Sequence, residues 1–345
     1  MGFDRTRISH ELSISGAMLT RREQTVYQLP IRYSVWLVMP STSAPRIALA
    51  PSTAPSWMAD AVIAGGGEIV ALADAEGLIW GAPRTPKALE EILQDADHIK
   101  WIQLPFAGIE SFMYLIDDDR LWTCGKGVYA EPVAEMALTL MLAGLRGVNS
   151  YARQATWTGP RGRNLHEAHV TILGGGGITE SLVRMLAPFN CHITVVRNRV
   201  AEMEGVDEVL ESDRLIDALT GADVVVLALA LTPETEGIIS RSELEAMQDH
   251  AWIINVARGG HIVTDDLVWA LENNIIGGAG LDVTEPEPLP DGHPLWSLNN
   301  CIITPHVGNT PAMAVPLLSE RITENVRHWA GGEDLIGPVF VDLGY

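Results

Sequence analysis

Five short apolar runs set the terms for this chain: "HVTILG", "HITVVR", "DVVVLALAL", "AWIINVA" and "GGAGLDV", with amphipathic or polar stretches between them. Runs so continuous in Val, Ile and Leu have no polar face to turn toward water. They predict strands covered on both sides, and therefore a parallel sheet with helical crossovers. A looser series precedes them, in which "RIALAP", "GEIVALA" and "IKWIQLPFAG" read as buried strands ended by Pro or Gly, and "TPKALEEILQDA" reads as a helix. A long helical stretch from Glu131 to Ala155 separates the two series. The final helical stretch, "MAVPLLSERITENVRHWAGG", follows the second series and is expected to pack back on the first domain. At 345 residues two domains are expected. The reading is an α/β chain of two Rossmann-like, doubly wound parallel-sheet domains. One spans 45–125 and 309–345 and is discontinuous in sequence; the other spans 126–308. Residues 1–44 lack periodicity and read as an N-terminal extension, with Met39 as an alternative start.

The segment "HVTILGGGGITESLVRMLAPF" sharpens this picture. It runs strand, glycine loop, helix, and Ile178, Leu182, Met185, Leu186 and Phe189 fall on one helical face. Gly174 permits the tight turn and Gly176 leaves room for a pyrophosphate against the backbone, with Gly177 and Ile178 opening the helix. This is the context that makes a glycine pattern a dinucleotide site. The third glycine position holds Thr179, whose side chain either pushes the helix off the strand or needs a small neighbour. An NAD site places an acid about 20 residues further on, at the end of the second strand. Arg197 stands there instead, with Arg199 beyond it, and a shift of one residue gives only Asn198. NADP(H) is therefore expected over NAD(H), which remains possible.

Composition narrows the partners. A net charge of −21 opposes nucleic acid, though a local positive group can still hold a small anion. Cys124, Cys191 and Cys301 lie far apart without metal-ligand spacing, which suggests small buried side chains in a reducing compartment and no metal. No apolar run approaches the roughly 20 residues that span a bilayer, and no secretory signal is evident, so a cytoplasmic location is expected.

Three segments that follow the later strands carry candidate chemistry: "INVARGG" with Arg258, "LDVTEPEPLP" with Asp282 and Glu287, and "IITPHVGNT" with His306. Singly, each reads more readily as structural. In this order, with "LPFAGIE", "YAEPVAEMALTLML", "LTPETEGIIS", "HPLW" and "VDLGY", the chain resembles the D-isomer-specific 2-hydroxyacid dehydrogenases, and most of all their glyoxylate/hydroxypyruvate reductases.

The resemblance implies hydride transfer between NAD(P)H and a small 2-oxo acid. His306 would be the proton donor, and Glu287 the carboxylate that favours its charged form. Arg258 and the backbone N–H groups around Ala107, Gly108 and Ile109 would hold the substrate carboxylate. Asp282, with the backbone of Val256, Ala257 and Gly308, would orient the nicotinamide. Glu285 competes for the acid role; the family's carboxylate, five positions past Asp282, selects Glu287. The resemblance also implies that 45–125 with 309–345 is the substrate domain, and a homodimer through the "VAEMALTLML" helix. Departures are Phe106, which could narrow the substrate pocket, Glu110 where Asp is usual, and Ala230 where proline is frequent. Phosphoglycerate dehydrogenase and a non-catalytic NAD(P)-sensing regulator remain alternatives. Formate oxidation is disfavoured, because Glu287 stands where that branch carries glutamine.

Overall fold

The computed structural model describes residues 43–82 and 85–339, so the expected extension and alternative start at Met39 fall almost wholly outside it. The first sheet is built by β1 (Arg46–Ala50), β2 (Glu68–Ile69), β3 (Gly77–Trp80), β4 (Trp101–Gln103) and β5 (Leu121–Thr123), all parallel in the order β2-β1-β3-β4-β5. Its crossovers include α1 (Ser56–Ala64) and α2 (Pro86–Leu93). "GEIVALA" pairs only through its first residues and then turns into a 3-10 helix at Leu72–Asp74. It is an edge strand with exposed residues, whereas the strand "GLIW", which the sequence reading missed, is fully buried.

The expected helix from Glu131 to Ala155 is two helices, α3 (Ala130–Leu145) and α4 (Val148–Ala152). Gly147 breaks it by adopting the left-handed conformation, φ 62°, which glycine takes without steric cost. The second sheet then follows: β6 (His169–Leu173), α5 (Gly177–Leu186), β7 (His192–Val196), β8 (Glu208–Leu210), α6 (Leu215–Leu219), β9 (Val224–Leu227), α7 (Arg241–Ala246), β10 (Trp252–Asn255), α8 (Thr264–Glu272), β11 (Gly278–Leu281) and β12 (Cys301–Ile303). Its seven strands run parallel in the order β12-β11-β10-β9-β6-β7-β8. The order reverses between β6 and β9, which is where doubly wound sheets open a crevice for ligands. Helix α3 covers one face closely: a side chain at Gly144 would strike Trp252, and one at Gly280 would strike Leu140.

The last helix, α9 (Pro311–Gly331), returns to the first sheet. Gly65, at the end of α1, lies against Thr323 and Val326, and Trp329 stacks on Trp101 with ring centroids 5.6 Å apart. Asn325 is fully buried; its amide donates to Gln103 Oε1 at 2.8 Å and its carbonyl accepts from Ile336 N at 2.7 Å. Such a polar side chain is tolerable inside only when it is satisfied in this way. The first sheet and α9 therefore form one core although about 190 residues separate them in the chain. Among the described residues no helix is long and apolar enough to cross a membrane.

Candidate active site

The carboxyl ends of β6, β10, β11 and β12 carry the expected residues. The turn after β6 needs its glycines: Gly174 has φ 107°, and a side chain there would meet the carbonyl of Ala228. Gly176 faces open space, and among the described residues no side chain caps the start of α5, so its first N–H groups have no side-chain acceptor there. Thr179 is fully buried, and its hydroxyl donates to the Gly174 carbonyl at 2.8 Å, tying the helix to the turn. Arg197 leaves the end of β7 and lays its side chain against Gly175, while Arg199 is exposed and Asn198 accepts from Ser212 Oγ at 2.6 Å. An open glycine turn, uncapped helix N–H groups and an arginine over the loop suit the diphosphate and ribose of a dinucleotide.

At the other ligand-facing ends, His306 Nδ1 and Glu287 Oε1 lie 2.9 Å apart, and both side chains are partly open to solvent. The pairing is with Glu287; Glu285 engages the structure through its backbone, whose carbonyl accepts from Thr264 Oγ1. His306 has φ 53°, a left-handed conformation that costs a non-glycine residue about 1–2 kcal/mol. Two backbone bonds hold it there, from its N–H to the Asp282 carbonyl at 2.8 Å and to the Thr304 carbonyl at 3.0 Å.

Asp282 is buried, and its carboxylate already accepts three bonds from this loop: Thr304 Oγ1 at 2.5 Å, Val307 N at 2.9 Å and Gly308 N at 2.8 Å. It is thus first of all the anchor of the His306 loop, with little acceptor capacity left for a cofactor. The Gly308 N–H is taken by the same carboxylate. The Ala257 N–H is taken by Asn255 Oδ1 at 3.0 Å, and Val256 N points to the Leu227 carbonyl at 3.4 Å.

Arg258 reaches out of the β10 turn to the first domain. Its Nε lies 3.3 Å from Glu110 Oε1, its Nη1 donates to the Ala257 carbonyl at 2.7 Å, and Nη2 lies so close to Gly108 that a side chain there would displace the guanidinium. Among the described residues the N–H groups of Ala107, Gly108 and Ile109 have no internal acceptor, so the loop tip presents three donors beside the guanidinium. Phe106 turns aside and packs on Phe112, with centroids 6.3 Å apart, at the edge of the first core. No direct bond joins Arg258 to His306 among the described residues. They are linked through intervening groups: Asn255 Nδ2 donates to the Arg258 carbonyl, and Asp282, whose N–H bonds to the Asn255 carbonyl, holds His306.

Residue-by-residue reading missed the roles of Glu110, Asn255 and His261. Glu110 was visible only as a departure from a pattern, and a polar residue in the run "HIV" after two glycines was the only sign of His261. Of the thiols, Cys301 is pushed up to about 12 and Cys191 to about 11 by burial; all three are free.

The sequence pattern of the D-isomer specific 2-hydroxyacid dehydrogenase NAD binding domain matches residues 136–308. An uncharacterised protein of the proB 3' region of Corynebacterium melassecola is 38% identical over 297 residues, covering 83% of this chain and 95% of that protein. Glyoxylate/hydroxypyruvate reductase A of Photorhabdus laumondii is 28% identical over 283 residues, covering 78% and 87%. Among solved structures, a D-isomer specific 2-hydroxyacid dehydrogenase of Xanthobacter autotrophicus in complex with NADPH and MES superposes with a TM-score of 0.76 at 24% identity, over 88% of this chain and 100% of that one.

Proposed function

The chain belongs to the D-isomer specific 2-hydroxyacid dehydrogenase family, and we propose that within it the protein reduces glyoxylate, hydroxypyruvate or a similar small 2-oxo acid, with NADP(H) preferred over NAD(H). The general activity, hydride exchange between a nicotinamide dinucleotide and a 2-oxo acid to give the D-2-hydroxy acid, comes with membership. The observation that carries the reduction of a 2-oxo acid is the His306–Glu287 pair at 2.9 Å, on the same sheet end as Arg258; the choice of a glyoxylate-like or hydroxypyruvate-like acid follows the likeness to glyoxylate/hydroxypyruvate reductase A.

When bound, the nicotinamide supplies the hydride. Arg258 Nη2 and the N–H groups of Ala107, Gly108 and Ile109 hold the substrate carboxylate and turn its carbonyl toward His306. Glu287 engages Nδ1, which leaves Nε2 to deliver the proton to the carbonyl oxygen as it gains charge. Glu110 and the Ala257 carbonyl occupy Nε and Nη1 of Arg258, so the guanidinium meets the substrate mainly through one edge rather than as a two-pronged fork. Closure of the first domain on the second excludes water from the step. The cofactor preference rests on Arg197 over Gly175 and on the lack of a carboxylate at the end of β7.

The test is kcat/KM for glyoxylate, hydroxypyruvate and phosphohydroxypyruvate with NADPH and NADH. Preference for either of the first two, and about tenfold or more for NADPH, is expected. Preference for phosphohydroxypyruvate would favour the phosphoglycerate reaction, a clear NADH preference would refute the cofactor assignment, and cofactor binding without turnover would favour a sensor.

A further inference from the structure

Three residues past Arg258, His261 has no exposed surface. Both of its ring nitrogens are engaged. Nε2 lies 3.2 Å from the Ala230 carbonyl; Nδ1 lies 3.2 Å from Arg258 N and 3.0 Å from the Arg258 carbonyl. Either carbonyl could take the ring proton, but only with the proton on Nε2 do both nitrogens bond: Nε2 donates to the Ala230 carbonyl and Nδ1 accepts from the Arg258 N–H, while Asn255 Nδ2 already serves the Arg258 carbonyl. Burial is the largest influence on the ring and pushes its pKa down, toward this neutral form, although the two carbonyls pull the other way. On the other side, Asn255 Nδ2 donates to the Arg258 carbonyl at 2.8 Å. Both polar groups of the Arg258 backbone are thus gripped by buried side chains. The grip extends further: the Ala230 carbonyl also accepts from Thr235 Oγ1 at 2.7 Å, and Ala228 and Leu229, just before it, press on the Gly174 turn.

We infer that His261 is a positioning residue for Arg258: through its Nδ1 lone pair it sets the backbone direction from which the guanidinium crosses to the 106–110 loop, and through Nε2 it fastens that backbone to the segment resting on the glycine turn. This rests on the reading of Arg258 as the anchor of the substrate carboxylate. An apolar side chain of similar volume would fill the space but leave the Arg258 N–H without an acceptor.

Three variants separate the two ring nitrogens. His261→Asn keeps an acceptor near the Nδ1 position, His261→Gln keeps a donor toward Ala230, and His261→Leu keeps neither. Binding of oxalate, a dicarboxylate mimic of the 2-oxo acid, is measured by calorimetry on the protein saturated with NADP+, together with KM, kcat and the Kd for NADPH. We expect the Leu and Gln variants to weaken oxalate and raise the substrate KM by about tenfold or more, with the NADPH Kd changed by less than about twofold. The Asn variant should return to within about threefold of the parent. Equal behaviour of Asn and Gln, parent-like oxalate binding in all three, or a parallel loss of cofactor and oxalate affinity would each overturn the inference. Should the Leu variant fail to fold, the comparison of Asn with Gln decides alone. A parent protein that binds no oxalate and reduces no 2-oxo acid overturns the reading of Arg258, and the inference with it; a parent that binds oxalate as well as its variants do overturns the role of His261 only.

Discussion

Thr179 illustrates how a residue that breaks a pattern can repair it. The usual glycine at this place lets helix and strand approach; here the threonine hydroxyl bonds to the Gly174 carbonyl, so the turn is held by a bond instead of by closeness alone. Thr179→Val keeps the shape and removes the donor. It should destabilise the protein by about 0.5–1.5 kcal/mol, the net worth of one hydrogen bond to a partly buried carbonyl, read from the midpoint of urea unfolding. The same logic of partner identity separates Glu287 from Glu285. Glu287→Gln should lower kcat for reduction by about a hundredfold, and Glu285→Gln by no more than about twofold; equal losses would show that the contact at 2.9 Å does not bear on proton transfer. His306, Glu287 and Arg258 were legible because their three segments follow the later strands in the order and spacing of a known family; singly, each read as structural. Their supports were not. Asn255 and His261 act through bonds to backbone groups, and nothing in residue type alone says which backbone a buried amide or imidazole will meet.

Among the elements, the apolar strands at the centre of the second sheet were the easiest to read and the short strands the hardest, the buried central β3 of the first sheet among them. Strand β8, with only Glu208–Leu210 in register beside β7, has neither the length nor the apolar continuity that marks its neighbours. The break between α3 and α4 was hidden because Gly147 is a single residue in a sequence that otherwise favours helix. The amino ends of β6 and β7 bring two histidines together. The rings of His169 and His192 meet edge to face at 4.9 Å, and His169 Nε2 lies 3.0 Å from Thr194 Oγ1. Burial first, then the neighbouring His192, lowers the pKa of His169; burial does the same to His261. The unfolded chain therefore binds protons at these sites more readily than the folded one. Their contribution to stability is complete above the unfolded value of about 6.5 and declines as pH falls through that value toward the lower folded ones. The urea midpoint should drop as pH is taken from about 7.5 to 5.5, and His169→Asn should flatten that slope. A slope unchanged by the substitution would assign the loss to other groups.

For the whole molecule, the two cores meet where the chain crosses between sheets, after Thr123 and after Ile303. We propose the domain division at 125/126 and 308/309, close to these two crossings. Arg258 and Glu110 form an ion pair across it. Both side chains are partly exposed, so the pair adds little to stability. Glu110→Gln should leave the thermal midpoint within about 2 °C of the parent and change the substrate KM by about threefold or more. We also propose a homodimer through α3, where Leu138 and Leu142 remain only partly covered within one chain. Sedimentation equilibrium at micromolar concentration should return twice the chain's mass; a monomer would require those side chains to face water.

Periodicity and residue type alone determined the strand–loop–helix of the nucleotide site and the parallel character of the second sheet, because each is a local pattern with one favourable way to bury its apolar face. Only tertiary structure decided that Asp282 serves the His306 loop, that Arg258 spends two of its donor positions on Glu110 and Ala257, and that a histidine absent from the sequence reading grips its backbone. Those assignments depend on which donors and acceptors the packed strands bring within about 3 Å of one another, and hydrogen-bond capacity is spent on neighbours in space, not on neighbours in sequence.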